Sequence, residues 1–196
     1  MGFSHHDTIF LTLPQSRGLL LKGPAAAHDG AMRILGVDPG LATVGIGMIE
    51  ADGPDRLSDP DWCAITTEAG LPLAERLLEI QTDLKALVAD FQPELAVVER
   101  LFFAVNTQSA LEVAQARGVI LAVLAEAGIT VLEPAPLELK LAITGDGQAE
   151  KGQMQAMVAT ILKLDEIPTP ADAADGLALA IFGASQSALG DGIPRR

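Results

Sequence analysis

The stretch that decides the fold is residues 32–40, which read Met-Arg-Ile-Leu-Gly-Val-Asp-Pro-Gly. A short apolar run of this kind is typical of a strand buried on both faces. The run ends in Asp38, and Pro39-Gly40 then turns the chain. We therefore predict a strand over 33–37 with a carboxylate at its carboxyl end. An aspartate before Pro-Gly is by itself more typical of a turn than of catalysis, so other residues must support a functional role.

Outward from this strand, the chain shows further strand patterns and then helix patterns. A β-rich run over 43–50 follows, and 62–67 has the composition of a third strand. The later segments are predicted as a helix over 71–90, a strand over 95–98, a long apolar helix over 107–127, a strand over 129–132, helices over 137–143 and 148–163, and an alanine-rich helix over 172–188. Three strands followed by strands alternating with helices imply an α/β fold, with a five-stranded mixed sheet flanked by helices.

The first 31 residues differ from the rest. The linker-like string Lys-Gly-Pro-Ala-Ala-Ala occupies 22–27, and all three histidines lie in this part of the chain. We expect a flexible or dispensable extension over 1–31, arising as an upstream start or a cloning remnant, then one functional domain over 32–188 and a short tail over 189–196. The alternative is a real accessory strand at 8–13 or 19–22.

Composition bounds the class of protein. The 196 residues are 49% hydrophobic and include one cysteine, so we expect a single core without an internal disulfide, in a reducing cytoplasm. No apolar run is long enough to span a bilayer, and no basic region precedes the apolar stretch at 8–13, which argues against a membrane protein or a secretory signal. The net charge of −13 argues against a polyanion partner, unless the basic residues form a local strip.

Four acids have positions that suit a metal site. Asp38 and Glu99 each follow a buried strand, and ligand sites in open α/β sheets gather at the carboxyl ends of strands. Asp172 and Asp175 are three residues apart on the last helix, so they share one face. The predicted domain has no histidine, and Cys63 lies apart from these acids. An all-oxygen set selects Mg²⁺ or Mn²⁺, and a pair of such ions suits phosphodiester hydrolysis.

Each acid also has an ordinary explanation. Asp172 suits the positive end of a helix dipole, with Asp175 as its capping partner, and Glu99 could simply end its strand in solvent. The combination of the four is what favours a functional site.

Five ordered motifs carry a resemblance to a known family. They are residues 32–40, Glu-Arg-Leu-Phe-Phe-Ala-Val-Asn at 99–106, Ser-Ala-Leu at 109–111, Gln-Ala-Arg-Gly at 115–118, and Asp-Ala-Ala-Asp-Gly-Leu-Ala-Leu-Ala at 172–180. With Gly145 and the Ala-Glu-Lys string at 149–151, they resemble the RuvC family of bacterial Holliday-junction resolvases over about residues 32–188.

The resemblance implies a ribonuclease-H-like fold and a homodimer. The implied activity is a pair of symmetric nicks in a four-way DNA junction, leaving 5′-phosphate and 3′-hydroxyl ends, in recombination and repair. It also implies that Asp38, Glu99, Asp172 and Asp175 are the catalytic metal-binding acids, with two Mg²⁺ ions per site, replaceable by Mn²⁺, and with Asp38 bridging both ions. The implied protein partners are the branch-migration motor proteins RuvA and RuvB.

The resemblance also implies DNA-binding residues. Phe102 falls where the family has an aromatic that stacks on an unpaired base, and Lys140 and Lys151 fall on positions that contact the DNA backbone. We add the nearby polar residues Arg100 and Asn106 as DNA ligands, and Arg117 as a further base of the same strip. Phe103 is expected in the core, and each base alone could be a solvated surface charge.

Three features depart from the family pattern. They are the extra residues 1–31, the small number of positive charges over 134–140, and the acidic overall balance. These departures bear on DNA affinity and sequence preference rather than on the acids.

Several alternatives remain open on the sequence. A different ribonuclease-H-like nuclease, acting on RNA or on other branched DNA, would need the same acids. Residues 36–40 with Thr43 and Gly45 are also similar to the phosphate-binding hairpin of sugar-kinase and actin-like ATPases, although the chain lacks the repeat of that group. An inactive binding protein that keeps the fold is a third alternative. The apolar helix over 107–127 is either buried within one subunit or packed against a second copy.

Overall fold

A computed structural model describes residues 8–11, 19–22, 30–101 and 107–188, with side chains over 30–101 and 110–187. Seven strands and five helices lie in these ranges: β1 (Thr8–Leu11), β2 (Leu19–Lys22), β3 (Met32–Asp38), β4 (Thr43–Ala51), β5 (Leu57–Thr66), α1 (Leu73–Phe91), β6 (Leu95–Val98), α2 (Thr107–Glu126), β7 (Thr130–Leu132), α3 (Pro136–Thr144), α4 (Lys151–Ile161) and α5 (Ala171–Ala188).

The main sheet has five strands in the order β5-β4-β3-β6-β7. Strands β3, β4 and β5 form an antiparallel meander, whereas β3, β6 and β7 run parallel. The mixed five-stranded sheet predicted from the element order is therefore confirmed. Because β3 and β6 are parallel neighbours, with Val37 paired to Val98, the residues that follow them reach the same edge of the sheet.

Side-chain alternation divides the core between the two faces of the sheet. On one face, Leu35 and Val37 of β3 pack in a cluster with buried residues of α1 and α2 such as Leu84 and Ile120. On the other face, Ile34 of β3 packs in a second cluster with residues of α3, α4 and α5. Asp38 has the same parity as Ile34, so its side chain belongs to the α5 face.

Helix α5 approaches β3 and β4 closely because glycines line the contact. A Cβ atom at Gly45 would overlap the main-chain carbonyl of Asp172, and a Cβ atom at Gly47 would overlap the backbone of α5 at Gly176 and Leu177. Gly45 is the direct partner of Asp38 in the β3–β4 register. The glycines therefore allow the first turns of α5 to lie directly on the strands beside Asp38.

Strand β5 is longer than predicted. It begins at Leu57 rather than at residue 62. The prediction started late because Ser58-Asp59-Pro60 has the composition of a turn. The structure accommodates Pro60 because β5 is the edge strand, where a missing N–H does not interrupt pairing to a further strand. A register irregularity between Met48 and Glu50 lies in the same β4–β5 pairing.

Within residues 1–31, the structure describes one antiparallel pair, β1 with β2, from Thr8 opposite Lys22 to Leu11 opposite Leu19. This pair forms a separate two-stranded sheet. Both strands lie within the ranges 8–13 and 19–22, either of which was considered for an accessory strand, and whether the extension is flexible or dispensable stays a prediction. Among the helices of the described ranges, none has the length and apolar character needed to cross a membrane.

Candidate active site

Asp38 and Glu99 lie side by side at the carboxyl ends of two adjacent parallel strands. Asp38 is the last residue of β3, and Glu99 directly follows β6. The Glu99 N–H donates to the carbonyl of Val37 at 3.4 Å, which continues the β3–β6 pairing by one step. Both acids have the parity of the sheet face that α5 covers.

Helix α5 supplies the other two acids from a distant part of the sequence. Asp172 and Asp175 lie in its first two turns, on the side that packs against β3 and β4. Carboxylate oxygens of Asp38, Asp172 and Asp175 all lie within 4.8 Å of one another. Glu99 stands outside this group of three but lines the same cavity as Asp38 and Asp175.

The cluster makes ionisation of Asp38 costly. Burial is the largest cause, and the negative charges of Asp175, Glu99 and Asp172 add to it, so the pKa of Asp38 rises from 3.8 to about 7. The positive charge of Lys151 works in the opposite direction. At neutral pH, Asp38 in the metal-free site is therefore present partly in its protonated form and partly in its ionised form.

Glu99 is perturbed in the same direction. Burial raises the pKa of Glu99, the charge of Asp175 raises it further, and the charge of Lys140 lowers it. Glu99 and Lys140 both line a cavity of about 210 Å³, together with Asp38, Asp175 and Lys151. Four apolar residues also line this cavity: Pro136, Leu139, Met154 and Leu179.

Lys151, the first residue of α4, is paired with the acid cluster. Its Nζ atom donates to Oδ2 of Asp175 at 2.9 Å. This hydrogen bond, together with the nearby charges of Asp175, Asp172 and Asp38, raises the pKa of Lys151 above its ordinary value. Lys151 therefore supplies one positive charge to a site with four acids, which leaves an excess of negative charge.

The donor set fits a hard divalent cation. Three carboxylates within 4.8 Å of one another, with Glu99 on the same cavity, offer oxygen ligands only. Burial and mutual repulsion raise the pKa values of Asp38 and Glu99, and a bound cation would offset this cost of ionisation. Cys63 on β5 offers no alternative ligand here, because it packs against the core cluster that contains α1 and α2, on the sheet face opposite the acids.

Comparison with known proteins identifies the family to which these motifs belong. The family model described as "Crossover junction endodeoxyribonuclease RuvC" matches residues 34–183, which include all four acids. The chain belongs to the RuvC family.

Named relatives of the RuvC family cover most of the chain. The crossover junction endodeoxyribonuclease RuvC of Chloroflexus aggregans is 51% identical over 150 residues, which span 76% of this chain and 91% of that protein. The RuvC protein of Heliobacterium modesticaldum is 50% identical over 150 residues, which span 76% of this chain and 92% of that protein. These relatives support crossover junction endodeoxyribonuclease activity for the chain.

Solved structures agree on the fold. Thermus thermophilus RuvC, solved in complex with a Holliday junction substrate, superposes with a TM-score of 0.77 at 32% identity, over 84% of this chain and 99% of that one. The yeast mitochondrial Holliday junction resolvase Ydc2 superposes with a TM-score of 0.60 at 13% identity, over 81% of this chain and 80% of that one. The second likeness supports the fold alone, and together they confirm the ribonuclease-H-like architecture.

The four basic residues predicted as DNA ligands differ in their surroundings. Lys140 and Lys151 line the cavity beside the RuvC-type acids. Arg100 is exposed, with its guanidinium donating to the main-chain carbonyl of Glu133 at 2.9 Å. Arg117 is largely covered and bonds within the chain, to the main-chain carbonyl of Glu99 and to the carboxylate of Glu133. The DNA-binding role of all four stays a prediction.

Three sequence-predicted positions lie outside the described residues. Phe102, Phe103 and Asn106 all fall in 102–106, so stacking by Phe102 and burial of Phe103 stay predictions.

Sequence reasoning missed two features of this RuvC-type site. Glu133 directly follows β7 and belongs to none of the sequence motifs, so only its contact with Arg117 in the structure links it to the site. Gly45 was noted for its place in a strand, but its role beside Asp172 depends on where α5 packs. The available signal was a glycine in the strand that follows Asp38 across the Pro39-Gly40 turn, since a glycine inside a strand often marks a close backbone approach.

Proposed function

We propose that this chain resolves four-way DNA junctions by metal-dependent hydrolysis, through paired symmetric nicks that leave 5′-phosphate and 3′-hydroxyl ends. The carrying observation is the meeting of Asp38, Asp172 and Asp175 in one group, with Glu99 on the same cavity, in a chain of the RuvC family. A relative that superposes over 99% of its length was solved with a Holliday junction substrate, which supports the choice of substrate. Recombination and repair are the processes in which such junctions arise.

Asp38, Glu99, Asp172 and Asp175 are the residues that would hold the metal, two Mg²⁺ ions per site with Mn²⁺ as a substitute. Two such ions, when bound, supply an activated water and stabilise the oxygen that leaves the scissile phosphate. Asp38 must lose its proton to serve as a ligand, and because its pKa without metal is about 7, metal binding near neutral pH would release a proton from the protonated fraction. Lys151 already donates to Asp175, so it orients one ligand and reduces the repulsion within the set.

DNA binding would rest on a local strip in an acidic protein. Lys140 and Lys151 stand at the cavity, and Arg100 is exposed beside the end of β6. Lys140 and Lys151 would supply positive charge beside the acids, where a scissile phosphate would approach, and Arg100 would extend this strip. Phe102 follows two residues after Arg100 in the sequence, and in this proposal it stacks on an unpaired base at the crossover.

A homodimer would match the two-fold symmetry of a junction. Helix α2 buries Ala116, Ile120 and Leu124 in its own subunit, yet its Leu111 is 62% exposed. On the neighbouring α1, Leu78 is 59% exposed. Apolar residues left uncovered on two packed helices support the pairing of these faces across a two-fold axis. The further proposals, cooperation with the motor proteins RuvA and RuvB and action in the cytoplasm, follow from membership of the family.

The test is cleavage of a labelled synthetic four-way junction in Mg²⁺ and then in Mn²⁺. Linear duplex and RNA–DNA hybrid serve as control substrates, and Asp38→Asn serves as the control variant. We expect paired symmetric nicks confined to the junction in the wild type, and retained junction binding without cleavage in the variant. Cleavage of the hybrid, or of every duplex alike, would move the chain to another ribonuclease-H-like activity. Nicking by Asp38→Asn at the wild-type rate would refute the assignment of the site.

A further inference from the structure

Arg117 of α2 makes two contacts that lie next to the candidate active site. Its Nε atom donates to the main-chain carbonyl of Glu99 at 2.9 Å. Its terminal nitrogen pairs with the carboxylate of Glu133, the residue that follows β7. The Arg117 side chain is only 15% exposed, so it is largely withdrawn from solvent and from any ligand on the surface.

The main chain of Glu99 is hydrogen-bonded at both its N–H and its carbonyl group. Its N–H donates to Val37, the residue before Asp38, and its carbonyl accepts from Arg117. β6 ends at Val98, so the Arg117 hydrogen bond replaces the pairing that a sheet neighbour would otherwise provide to this carbonyl. Arg117 acts on the position of Glu99 through the main chain, because its Nε atom donates to the Glu99 carbonyl rather than to the carboxylate.

Glu133 in turn is held near Arg117 by its own main chain. The Arg100 N–H donates to the carbonyl of Pro134, and the Arg100 guanidinium donates to the carbonyl of Glu133, both at 2.9 Å. These bonds tie the end of β7 to the residue after Glu99. An arginine can hold a carbonyl and a carboxylate together because its planar guanidinium presents several donors in a fixed geometry.

We infer that Arg117 is a positioning residue for Glu99, braced by Glu133, and that it sets the geometry of the fourth metal-binding acid. The inference rests on the proposed function and changes the role of Arg117 from a DNA ligand to a support of the metal site. Glu99 is the acid that needs such support, since it lies outside the group formed by the three aspartates. Groups that orient metal ligands typically change metal affinity or activity by about 10- to 100-fold when they are removed.

The experiment measures metal binding without DNA. Free Mn²⁺ is followed by its electron paramagnetic resonance signal as the ion is titrated into the full chain and into Arg117→Gln, Arg117→Lys and Glu133→Gln. The matched control is Arg56→Gln, which removes the same charge from an exposed ion pair with Asp52 in the β4–β5 turn. Junction affinity is measured in parallel in a chelator over a range of salt concentrations, and urea unfolding checks that each variant is folded.

We expect Mn²⁺ binding about 10- to 100-fold weaker in Arg117→Gln and in Glu133→Gln, with wild-type binding in the control. Arg117→Lys keeps the charge but lacks the fork, so it is expected to bind Mn²⁺ as weakly as Arg117→Gln. Since the two residues form one network, the double variant should bind no more weakly than the weaker single variant. Junction affinity without metal should stay at the wild-type value in all variants.

The opposite pattern would overturn the inference. Wild-type Mn²⁺ affinity in Arg117→Gln, with weaker junction binding and a salt slope reduced by about one, would make Arg117 a phosphate ligand. If Arg117→Gln fails to fold, the test rests on Glu133→Gln. Wild-type Mn²⁺ affinity in that folded variant would then refute the positioning role of the Arg117–Glu133 pair. Failure of the wild type to cleave junctions, with the Mn²⁺ effects intact, would refute the proposed function and leave the positioning role standing.

Discussion

Asp38→Asn should make the metal-free protein more stable while removing its activity. The substitution keeps the size of the side chain but removes a charge from a half-buried cluster of acids. The pKa of Asp38 is raised from 3.8 to about 7 by burial and by its three acidic neighbours, so the folded state binds a proton that the unfolded state releases. A side chain that needs no proton avoids this cost.

The sign and size of the effect follow from linkage between protonation and folding. Between about pH 4 and pH 7, the folded wild type holds more protons on Asp38 than the unfolded chain, so the free energy of unfolding falls as the pH rises. At 1.36 kcal/mol per pH unit, the full loss above pH 7 is about 4 kcal/mol. At pH 5 the loss is only about 1.5 kcal/mol, because the pH is then little above the unfolded-state pKa. The advantage of Asp38→Asn should therefore grow with pH and level off above about pH 7.

The assay is urea unfolding of both proteins in a chelator at pH 5 and pH 8, at one fixed protein concentration. The matched control is Asp52→Asn, which changes an aspartate that is 66% exposed and paired with Arg56, and which should alter stability by less than about 1 kcal/mol. Added Mg²⁺ should stabilise the wild type more than the variant, because the ion binds the folded site and the variant lacks one ligand. An Asp38→Asn protein no more stable than the wild type at pH 8 would show that the cluster does not carry the repulsion described.

Three further predictions concern the helix contact, the extension and the basic strip. Gly45→Ala places a Cβ atom against the carbonyl of Asp172, so it should lower the free energy of unfolding in urea by about 1–3 kcal/mol and reduce junction cleavage. The control is Gly152→Ala, because the space around Gly152 is open. Equal stability of the two variants would contradict the close packing of α5. A chain that starts at Met32 should cleave junctions at the rate of the full chain in the same gel assay, and a large loss would give residues 1–31 a role. If each protomer of a dimer makes three phosphate contacts, junction affinity should fall about 10³-fold between 50 and 200 mM salt in a binding titration, and a flat salt dependence would exclude the basic strip.

The local pattern of the chain determined most of the elements and the identity of the acids. Strand β6 was predicted with its observed bounds, and β3, β4, α1 and α2 lie within a few residues of their predictions, since each is a continuous apolar run or a clear helical repeat. The positions of Asp38 and Glu99 at strand ends followed from the same patterns. The prediction for β5 began five residues late because a proline on an edge strand resembles a turn in sequence.

Only the tertiary structure decided how the distant acids meet. Asp172 and Asp175 are close in sequence to each other but far from Asp38, and their carboxylates come together because α5 lies directly on the glycines of β3 and β4. The same holds for Arg117, which sequence reasoning assigned to DNA and which the fold directs to the Glu99 carbonyl and to Glu133. A sequence pattern fixes which face of an element a side chain shares, whereas the partner it meets depends on how closely the backbones pack.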